Sequence, residues 1–283
     1  MSSSVSREEA WSTDVPYTKW TKGSEIRSRY IVEARVRTMS KWVWIILAVT
    51  ILNPLLYLIS IGVGVGSLIS HNLGPHGIDG VTYLTFIAPA LLAASAIQAA
   101  QDEVIFPTFQ GFKWNRMFYG INATPQSGSN IAFGVFLAAI LRTILGVTVY
   151  SIILYLFGAM NSPHSYMAIP IAIFAGAAFG AVMLAFAAYT ENEDKFFTIV
   201  GRFIVGPMFL FSGTFYPINT LPLVVRFFGW ISPLWHAIEL GRFATYGRHI
   251  SGTMLLVHFT YLLAMLVFGL LFASRQYSKR LES

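Results

Sequence analysis

The chain has 283 residues, a formal net charge of +6 and a mean hydropathy of +0.61. Hydrophobic residues make up 55% of it and charged residues only 11%, whereas a soluble chain of this length needs far more charge. This composition indicates a polytopic membrane protein and argues against an independent soluble domain. The sequence contains no cysteine, which excludes a disulfide framework and thiolate chemistry.

The N-terminal region, residues 1–41, carries much of the positive charge. It holds eight of the 19 basic residues, directly before the first apolar run. In that position they suit membrane orientation and headgroup contact, and we do not expect nucleic acid as a partner.

Between residues 17 and 37, apolar side chains alternate with bases at roughly helical spacing. We predict an amphipathic helix in the cytoplasmic interface; the alternative is a charged flank that only fixes topology.

Six apolar runs follow, and each reaches the ~20 residues that a helix needs to cross about 30 Å of hydrocarbon. They lie at residues 42–67, 81–100, 131–157, 166–189, 196–216 and 252–273. We therefore predict an all-α membrane protein with a six-span transmembrane domain over residues 42–273.

The lysines and arginines in the connections predict the orientation of these spans. Residues 68–80 and the connection near Asn161 contain neither, whereas the N-terminal region, residues 101–128, the turn at Lys195 and the tail at 274–283 carry them. We expect both termini to be cytoplasmic and residues 68–80 and 158–165 to be external.

The connection at residues 101–128 is too short to form a domain, and it contains more aromatic residues than a linker without a binding role would need. We predict a short cytoplasmic helix that docks its aromatic side chains into a groove on a partner protein. The residues assigned to this coupling role are Phe112, Lys113, Trp114, Arg116, Phe118 and Tyr119. The alternative is an aromatic belt at the membrane interface.

Arg142 falls near the middle of the third apolar run, where a cation costs at least about 3 kcal/mol. One interpretation places it in a polar passage or a subunit seam. In the other interpretation, the membrane-embedded part of this helix begins several residues later along the chain, so that Arg142 reaches the cytoplasmic headgroups.

Residues 207–249 are the most informative stretch. An apolar span ends in Phe211-Ser-Gly-Thr-Phe-Tyr-Pro217, and the aromatic segments that follow are too short to cross a bilayer. Because Gly213 and Pro217 break a helix, we predict that residues 219–248 fold back as two short helices at the outer interface. Glu239 and Arg242 have helical spacing and are expected to pair toward the headgroups, as a structural staple or as the polar rim of an exit.

These features resemble the permease subunit of type-2 ABC exporters, closest to the branch of nodulation-factor lipooligosaccharide exporters and daunorubicin-type drug exporters. The resemblance covers nearly the whole chain. It is carried by the six spans, the basic N-terminus, the cytoplasmic helix ending in Ala123-Thr-Pro125, the block from Phe211 to Pro217, Leu221-Pro222, Ser232-Pro-Leu234, His236, Glu239 and Arg242.

The resemblance implies a dimeric domain, expected to be a homodimer, in a bacterial inner membrane. Two separately encoded ATPase subunits would drive it and would bind ATP and Mg²⁺, so this chain itself is expected to hold no cofactor, no metal and no catalytic residue. The first cytoplasmic helix would be the coupling helix, and the two external helices would form the exit. The residues assigned to the passage and exit are Arg142, Phe211, Ser212, Gly213, Thr214, Phe215, Tyr216, Pro217, His236, Glu239 and Arg242.

The sequence contains no Gly-x-x-x-x-Gly-Lys-Ser/Thr motif, the phosphate-binding loop of ATPases, so an ATP-driven motor would have to be a partner protein.

The aromatic, uncharged block near Phe211 favours an amphipathic cargo, with a glycolipid or lipid-linked polysaccharide first and a hydrophobic drug second. An ion-coupled secondary transporter is the alternative of another class, although residues 40–157 and 166–273 show no convincing repeat. A membrane-embedded enzyme would need a convergent acid/base, nucleophile or metal set, which the spans do not offer.

Overall fold

The computed structural model describes residues 28–65, 77–160 and 162–282. Within these ranges the chain is helical apart from turns and an isolated bridge between Ile78 and Val81, which confirms the predicted all-α class. The helices, numbered in chain order, are α1 (Ser28–Lys41), α2 (Val43–Tyr57), α3 (Tyr83–Phe109), α4 (Met117–Asn122), α5 (Gly128–Leu156), α6 (Ala168–Tyr189), α7 (Glu193–Thr198), α8 (Gly206–Phe211), α9 (Leu223–Ile231), α10 (Pro233–Tyr246) and α11 (Gly252–Glu282).

Three π-helical segments extend or join these helices. Leu58–Val65 continues α2, Gln110–Trp114 continues α3, and Ile199–Val205 joins α7 to α8. Wider turns of this kind are uncommon and are often found at functional sites.

Five helical stretches among the described residues are long and apolar enough to cross a bilayer, so the chain is a multi-pass membrane protein. They are Val43–Ile61, Tyr83–Trp114, Gly128–Leu156, Ser165–Tyr189 and Gly252–Glu282. They coincide with five of the six predicted spans. The remaining one, predicted at 196–216, is the stretch formed by α7 and α8. It begins with charged residues, carries Arg202, and ends at Phe211 rather than at Tyr216.

The core of the bundle is the contact between α3 and α6, with α5, α10 and α11 packed around it. A side chain at Gly176 on α6 would place its Cβ 2.7 Å from the carbonyl oxygen of Ala96 on α3. The two backbones therefore touch, as small residues allow in membrane bundles.

Helix α1 packs on the first turns of α5. Ile31 is buried there, and it lies close enough to Gly134 to exclude any side chain at that position. Residues 17–27, which the sequence assigned to the same amphipathic helix, lie outside the described residues. The last turns of α11 contact the same region of α5, through Ser278 and Gly128. The described N-terminal helix and the C-terminal helix end thus lie at one end of the bundle.

The connections without lysine or arginine lie at the opposite end, as far as they are described. Asp79 accepts a hydrogen bond from the Tyr246 hydroxyl at 3.3 Å and lies 3.7 Å from the Arg248 guanidinium. Ser165 donates to the Thr245 carbonyl at 3.3 Å. These contacts bring the loops after α2, α5 and α10 together.

Candidate functional site

A cavity of about 540 Å³ lies between α2, α3, α5 and the α7–α8 stretch, with Leu234 of α10 at its edge. Its walls combine aromatic, aliphatic and polar side chains, among them Asn53, Tyr57, Gln98, Asp102, Arg142, Tyr150 and Phe209. A concave, mostly apolar site with a few polar groups is the usual form of a ligand site in a protein.

The end of the cavity nearer α1 is charged. Gln98 donates to the Asp102 carboxylate at 2.8 Å, and Arg142 lies 3.7 Å from the neighbouring Glu103. Glu103 is buried and also accepts a hydrogen bond at 2.5 Å from Arg35 of α1. One buried carboxylate therefore faces two guanidinium groups. Arg142 thus lines the cavity and faces Glu103, at the end of the cavity nearer α1.

The opposite end of the cavity is aromatic. The Phe209 ring lies 6.0 Å from the Tyr57 ring and 5.2 Å from the Phe215 ring, measured between centroids, with both pairs edge to face. The backbone carbonyl of Phe215 accepts a hydrogen bond from Tyr83 at 3.2 Å, which fixes the loop that carries this ring. These rings lie at the end of the cavity that faces the loops without basic residues, where Tyr57 and Phe209 line its wall.

Tyr150 adds an unsatisfied polar group to the wall. Its side chain is buried, and its hydroxyl has no hydrogen-bond partner among the described residues. A buried hydroxyl without a partner is costly, so this group is available to form a hydrogen bond with a molecule in the cavity.

The predicted break lies directly beyond α8. That helix ends at Phe211, and Gly213 has a φ of 77°, a left-handed conformation that glycine adopts without a steric penalty. The Ser212 and Ser232 hydroxyls are hydrogen bonded at 2.5 Å, and Thr214 is fully buried. The other two residues assigned here lie on the same loop: the Tyr216 hydroxyl donates to the Leu210 carbonyl at 2.7 Å, and Pro217 precedes a 3₁₀ turn at Ile218–Thr220.

Arg242 ties this loop to α10. Its guanidinium is fully buried, donates to the Gly213 carbonyl at 2.7 Å, and lies 3.8 Å above the ring of Phe86. Glu239 lies 3.4 Å from it and accepts a second hydrogen bond from Arg248 at 3.0 Å. Burial raises the pKa of the Glu239 carboxyl, while the two arginines act in the opposite direction.

The expectation that Glu239 and Arg242 face the headgroups is therefore wrong. The two residues do pair, but toward the bundle interior, because α10 packs against α3, α6 and α11 and is buried along most of its length. In contrast to α10, the α9 helix leaves most of its apolar side chains exposed.

His236 lies in a buried aromatic cluster at the start of α10. Its Nε2 is 3.0 Å from the Trp230 carbonyl, which can only accept, so this nitrogen is the donor. The other nitrogen, Nδ1, is then the acceptor for Nδ1 of His258, 2.8 Å away on α11. The Tyr261 ring stacks on His236 with centroids 3.9 Å apart. This pair fastens the turn between α9 and α10 to α11.

The coupling region differs from its prediction in two side chains. Phe112 and Phe118 are buried, packed edge to face with each other at 5.1 Å and against Tyr277 of α11. They were expected to be displayed to a partner, and that expectation is wrong because both rings hold the segment onto α11. Trp114, Tyr119, Lys113 and Arg116 remain at the surface.

Glu193, at the start of α7, is a contact of the coupling region that the sequence analysis does not predict. Its carboxylate accepts a hydrogen bond from the Trp114 indole at 2.6 Å and lies 3.2 Å from the Lys113 ammonium. The indole hydrogen bond and the adjacent lysine lower its pKa. This contact ties the coupling region to the start of α7.

The structure thus assembles two groups of the assigned residues and separates a third. The loop at 211–217 meets Arg242 and its partner Glu239, and Trp114 and Lys113 of the coupling region contact Glu193 at the start of α7. Arg142 lies in the cavity wall, with Glu103 as its partner. Among the described residues, no cluster of three or more His, Cys, Asp or Glu side chains suits a metal ion.

Comparison with known proteins gives one family and several relatives. Residues 34–246 match the family described as ABC-2 type transporter. Nodulation protein J from Rhizobium leguminosarum bv. viciae is 26% identical over 203 residues, 72% of this chain and 76% of that protein. The proteins of the same name from Rhizobium meliloti strain 1021 and Sinorhizobium fredii are each 26% identical, covering 67% and 77% of this chain and 70% and 80% of their own.

Replacing Arg242 with Met should destabilise the protein strongly. The substitution removes the donor to the Gly213 carbonyl and one of the two cations beside Glu239, and breaking a buried pair of this kind costs about 3–5 kcal/mol. Thermal unfolding in detergent is the measurement, with Arg202→Met, at an exposed position on the segment after α7, as the control. Glu239→Gln should lower the midpoint less, since Arg242 keeps its backbone partner. An Arg242→Met midpoint equal to that of the control would contradict this assignment.

Proposed function

The chain belongs to the ABC-2 type transporter family, and we propose that it is the permease subunit of an ATP-driven exporter whose cargo passes through the cavity described above. The observation that carries this proposal is the cavity itself. It is charged at the end nearer α1, and the Tyr57 and Phe209 rings line the other end, with the Phe215 ring packed on Phe209. Such an arrangement suits a passage that is open toward one side and gated toward the other.

The charge distribution supports a cytoplasmic position for the end that carries α1, the coupling region and the tail of α11. The α7–α8 stretch is then the fifth of six spans. It stops at Phe211, and α9 and α10 form a hairpin that returns to the outer surface. The relatives are bacterial proteins, which supports a bacterial inner membrane as the location.

The coupling region is proposed to contact a separate ATPase subunit, which would bind ATP and Mg²⁺. Trp114 and Tyr119 offer exposed aromatic side chains of the kind that anchors protein interfaces. Glu193 joins Trp114 and Lys113 to α7, and α7 continues into the segment that lines the cavity. A displacement of the coupling region is therefore transmitted to the cavity wall by direct contact.

A second copy of this chain is proposed to complete the passage. The first span, α2, leaves most of its apolar side chains exposed, including Trp44, Ile45 and Leu52. It also forms one wall of the cavity. A partner permease on this side would cover the span and enlarge the cavity into a shared passage.

The proposed cargo is amphipathic, with a glycolipid or lipid-linked polysaccharide first. Aromatic faces bind sugar rings and lipid surfaces, and Gln98, Asp102 and the Tyr150 hydroxyl supply hydrogen bonds for a polar headgroup. A hydrophobic drug is the second candidate, because the aromatic end of the cavity would accept it equally well.

Removing the exposed aromatic anchors should weaken the motor contact. The double variant Trp114→Ala and Tyr119→Ala is expected to bind the ATPase roughly 30-fold more weakly or to uncouple ATP hydrolysis from export, since two interface anchors contribute about 2 kcal/mol or more. Copurification and transport in vesicles measure the two effects. Tyr166→Ala, an exposed aromatic at the opposite end of the bundle, is the control. Full retention of the ATPase together with normal export would contradict the assignment.

Filling the cavity should stop export and leave the motor bound. Gly146 lines the cavity, and a Cβ there would meet its neighbours only at 4.0 Å, so the Phe ring of Gly146→Phe can enter the space. Gly252→Phe, at a position with no neighbours within 4 Å, is the matched control. The measurement is ATP-dependent uptake into inside-out vesicles, with a fluorescent glycolipid and a hydrophobic dye as alternative cargoes.

Three results would count against the proposal. Normal uptake by Gly146→Phe would show that the cavity is not the passage. Uptake that a protonophore abolishes while ATP hydrolysis continues would favour an ion-coupled transporter. Uptake of the dye but not of the glycolipid would favour the drug as cargo.

A further inference from the structure

A second groove, separate from the cavity, lies on the outside of the bundle at its proposed cytoplasmic end. It has a volume of about 520 Å³ and is formed by the first turn of α5 and the last turns of α11. Its lining consists of three hydroxyl groups, two cations and one carboxylate, from Ser129, Ser274, Ser278, Arg275, Lys279 and Glu282.

The two cations in this groove have no partner in the described part of the chain. No carboxylate lies within 4.0 Å of Arg275 or Lys279, and both side chains are exposed. They are four residues apart on one helix, so they lie on the same face and repel each other. The next base, Arg280, is turned inward and donates to the Ala188 carbonyl at 3.0 Å. An anion bound between Arg275 and Lys279 would relieve the repulsion.

The groove lies at the depth of lipid headgroups. Arg275 is 23 residues along α11 from Gly252, which corresponds to about 35 Å at 1.5 Å per residue. The hydrocarbon core of a bilayer is about 30 Å thick and is bordered by headgroup layers. A helix that starts at the outer surface therefore brings Arg275 and Lys279 into the inner headgroup layer.

Exposed apolar side chains continue the groove toward the membrane centre. Leu271 and Phe268 lie one and two turns before Arg275 on the same face of α11, and both are exposed. Phe133 lies one turn beyond Ser129 on α5 and is also exposed. Acyl chains of a lipid would cover these side chains while its headgroup occupies the groove.

We propose that this groove binds the phosphate headgroup of an anionic phospholipid from the inner leaflet. The Ser129 and Ser278 hydroxyls are hydrogen bonded to each other at 3.4 Å, so one of the two keeps its proton free to donate to the phosphate. Arg275 and Lys279 supply two positive charges against the one negative charge of Glu282, which leaves the groove net positive. The adjoining apolar stripe favours a lipid over an acidic surface of the ATPase, because a protein surface in the cytoplasm would not reach Leu271 and Phe268. Bound there, the lipid joins α5 to α11 from outside, independently of which cargo the protein exports.

The test uses the purified full-length chain with its ATPase, in nanodiscs of phosphatidylcholine to which phosphatidylglycerol is added. We expect phosphatidylglycerol to raise the thermal midpoint and to remain bound in native mass spectra. The double variant Arg275→Gln and Lys279→Gln should bind it roughly 30-fold more weakly, given about 1 kcal/mol for each cation near an anionic surface. The exchange variant Arg275→Lys and Lys279→Arg keeps both charges and should bind normally. Lys195→Gln with Arg202→Gln removes the same charge on the α7 segment and serves as the control.

Equal phosphatidylglycerol binding by the neutralised and control variants would overturn the proposal. An equal stabilisation by inorganic phosphate alone would show that the groove takes a free anion and no lipid. A neutralised variant that loses the ATPase but keeps its lipid would identify the groove as a protein contact. Size-exclusion profiles and the exchange variant separate loss of binding from loss of folding.

Discussion

The buried guanidinium of Arg242 is the contact on which the outer half of this structure depends. The interior of the protein offers no water to a buried cation or to the carbonyls at a buried helix break, so each has to find its partner within the protein. Arg242 meets both needs, since it donates to the Gly213 carbonyl, faces Glu239 and lies above the Phe86 ring. This single side chain therefore connects the broken end of α8 to α10 and to α3. The loop that it fixes carries Phe215, whose ring packs on Phe209 of the cavity wall.

A second buried ionic contact organises the other end of the cavity. Glu103 accepts a hydrogen bond from Arg35 of α1 and lies beside Arg142 of α5, which allows a cation to remain in the wall of an otherwise apolar span. Near it, Glu193 binds Trp114 and Lys113 and joins the coupling region to α7. The two contacts connect the proposed cytoplasmic surface to opposite walls of the same cavity. In the proposed mechanism, the ATPase displaces the coupling region at Trp114. The contact between Trp114 and Glu193 passes this displacement to the α7–α8 stretch directly, without passing through the bundle core.

Local features of the sequence predict local features of the structure well. Length and hydropathy locate five spans, and Gly213 marks the break after α8, because these signals depend on neighbours along the chain. The sequence does not predict which residues that lie far apart along the chain become partners in the fold. Arg35 and Glu103 are 68 residues apart, Trp114 and Glu193 are 79 apart, and His236 and His258 are 22 apart, so no periodicity relates them. The spacing of Glu239 and Arg242 predicts their pairing but not its direction, which depends on the burial of α10. The aromatic run near Phe112 likewise cannot show which rings face α11 and which face outward.

If the cavity is the proposed passage, access to it changes with the state of the motor. The absence of native cysteine allows a direct measurement: a single cysteine in place of Ser95, in the cavity wall, labelled with an impermeant maleimide in vesicles of either orientation. We expect labelling from the cytoplasmic side without nucleotide, because the charged end of the cavity lies on that side in the proposed orientation and aromatic rings line the outer end. We expect that labelling to be lost when the ATPase is trapped with ATP. A cysteine that is labelled from the outside in the absence of nucleotide, or whose labelling ATP does not change, would contradict the account.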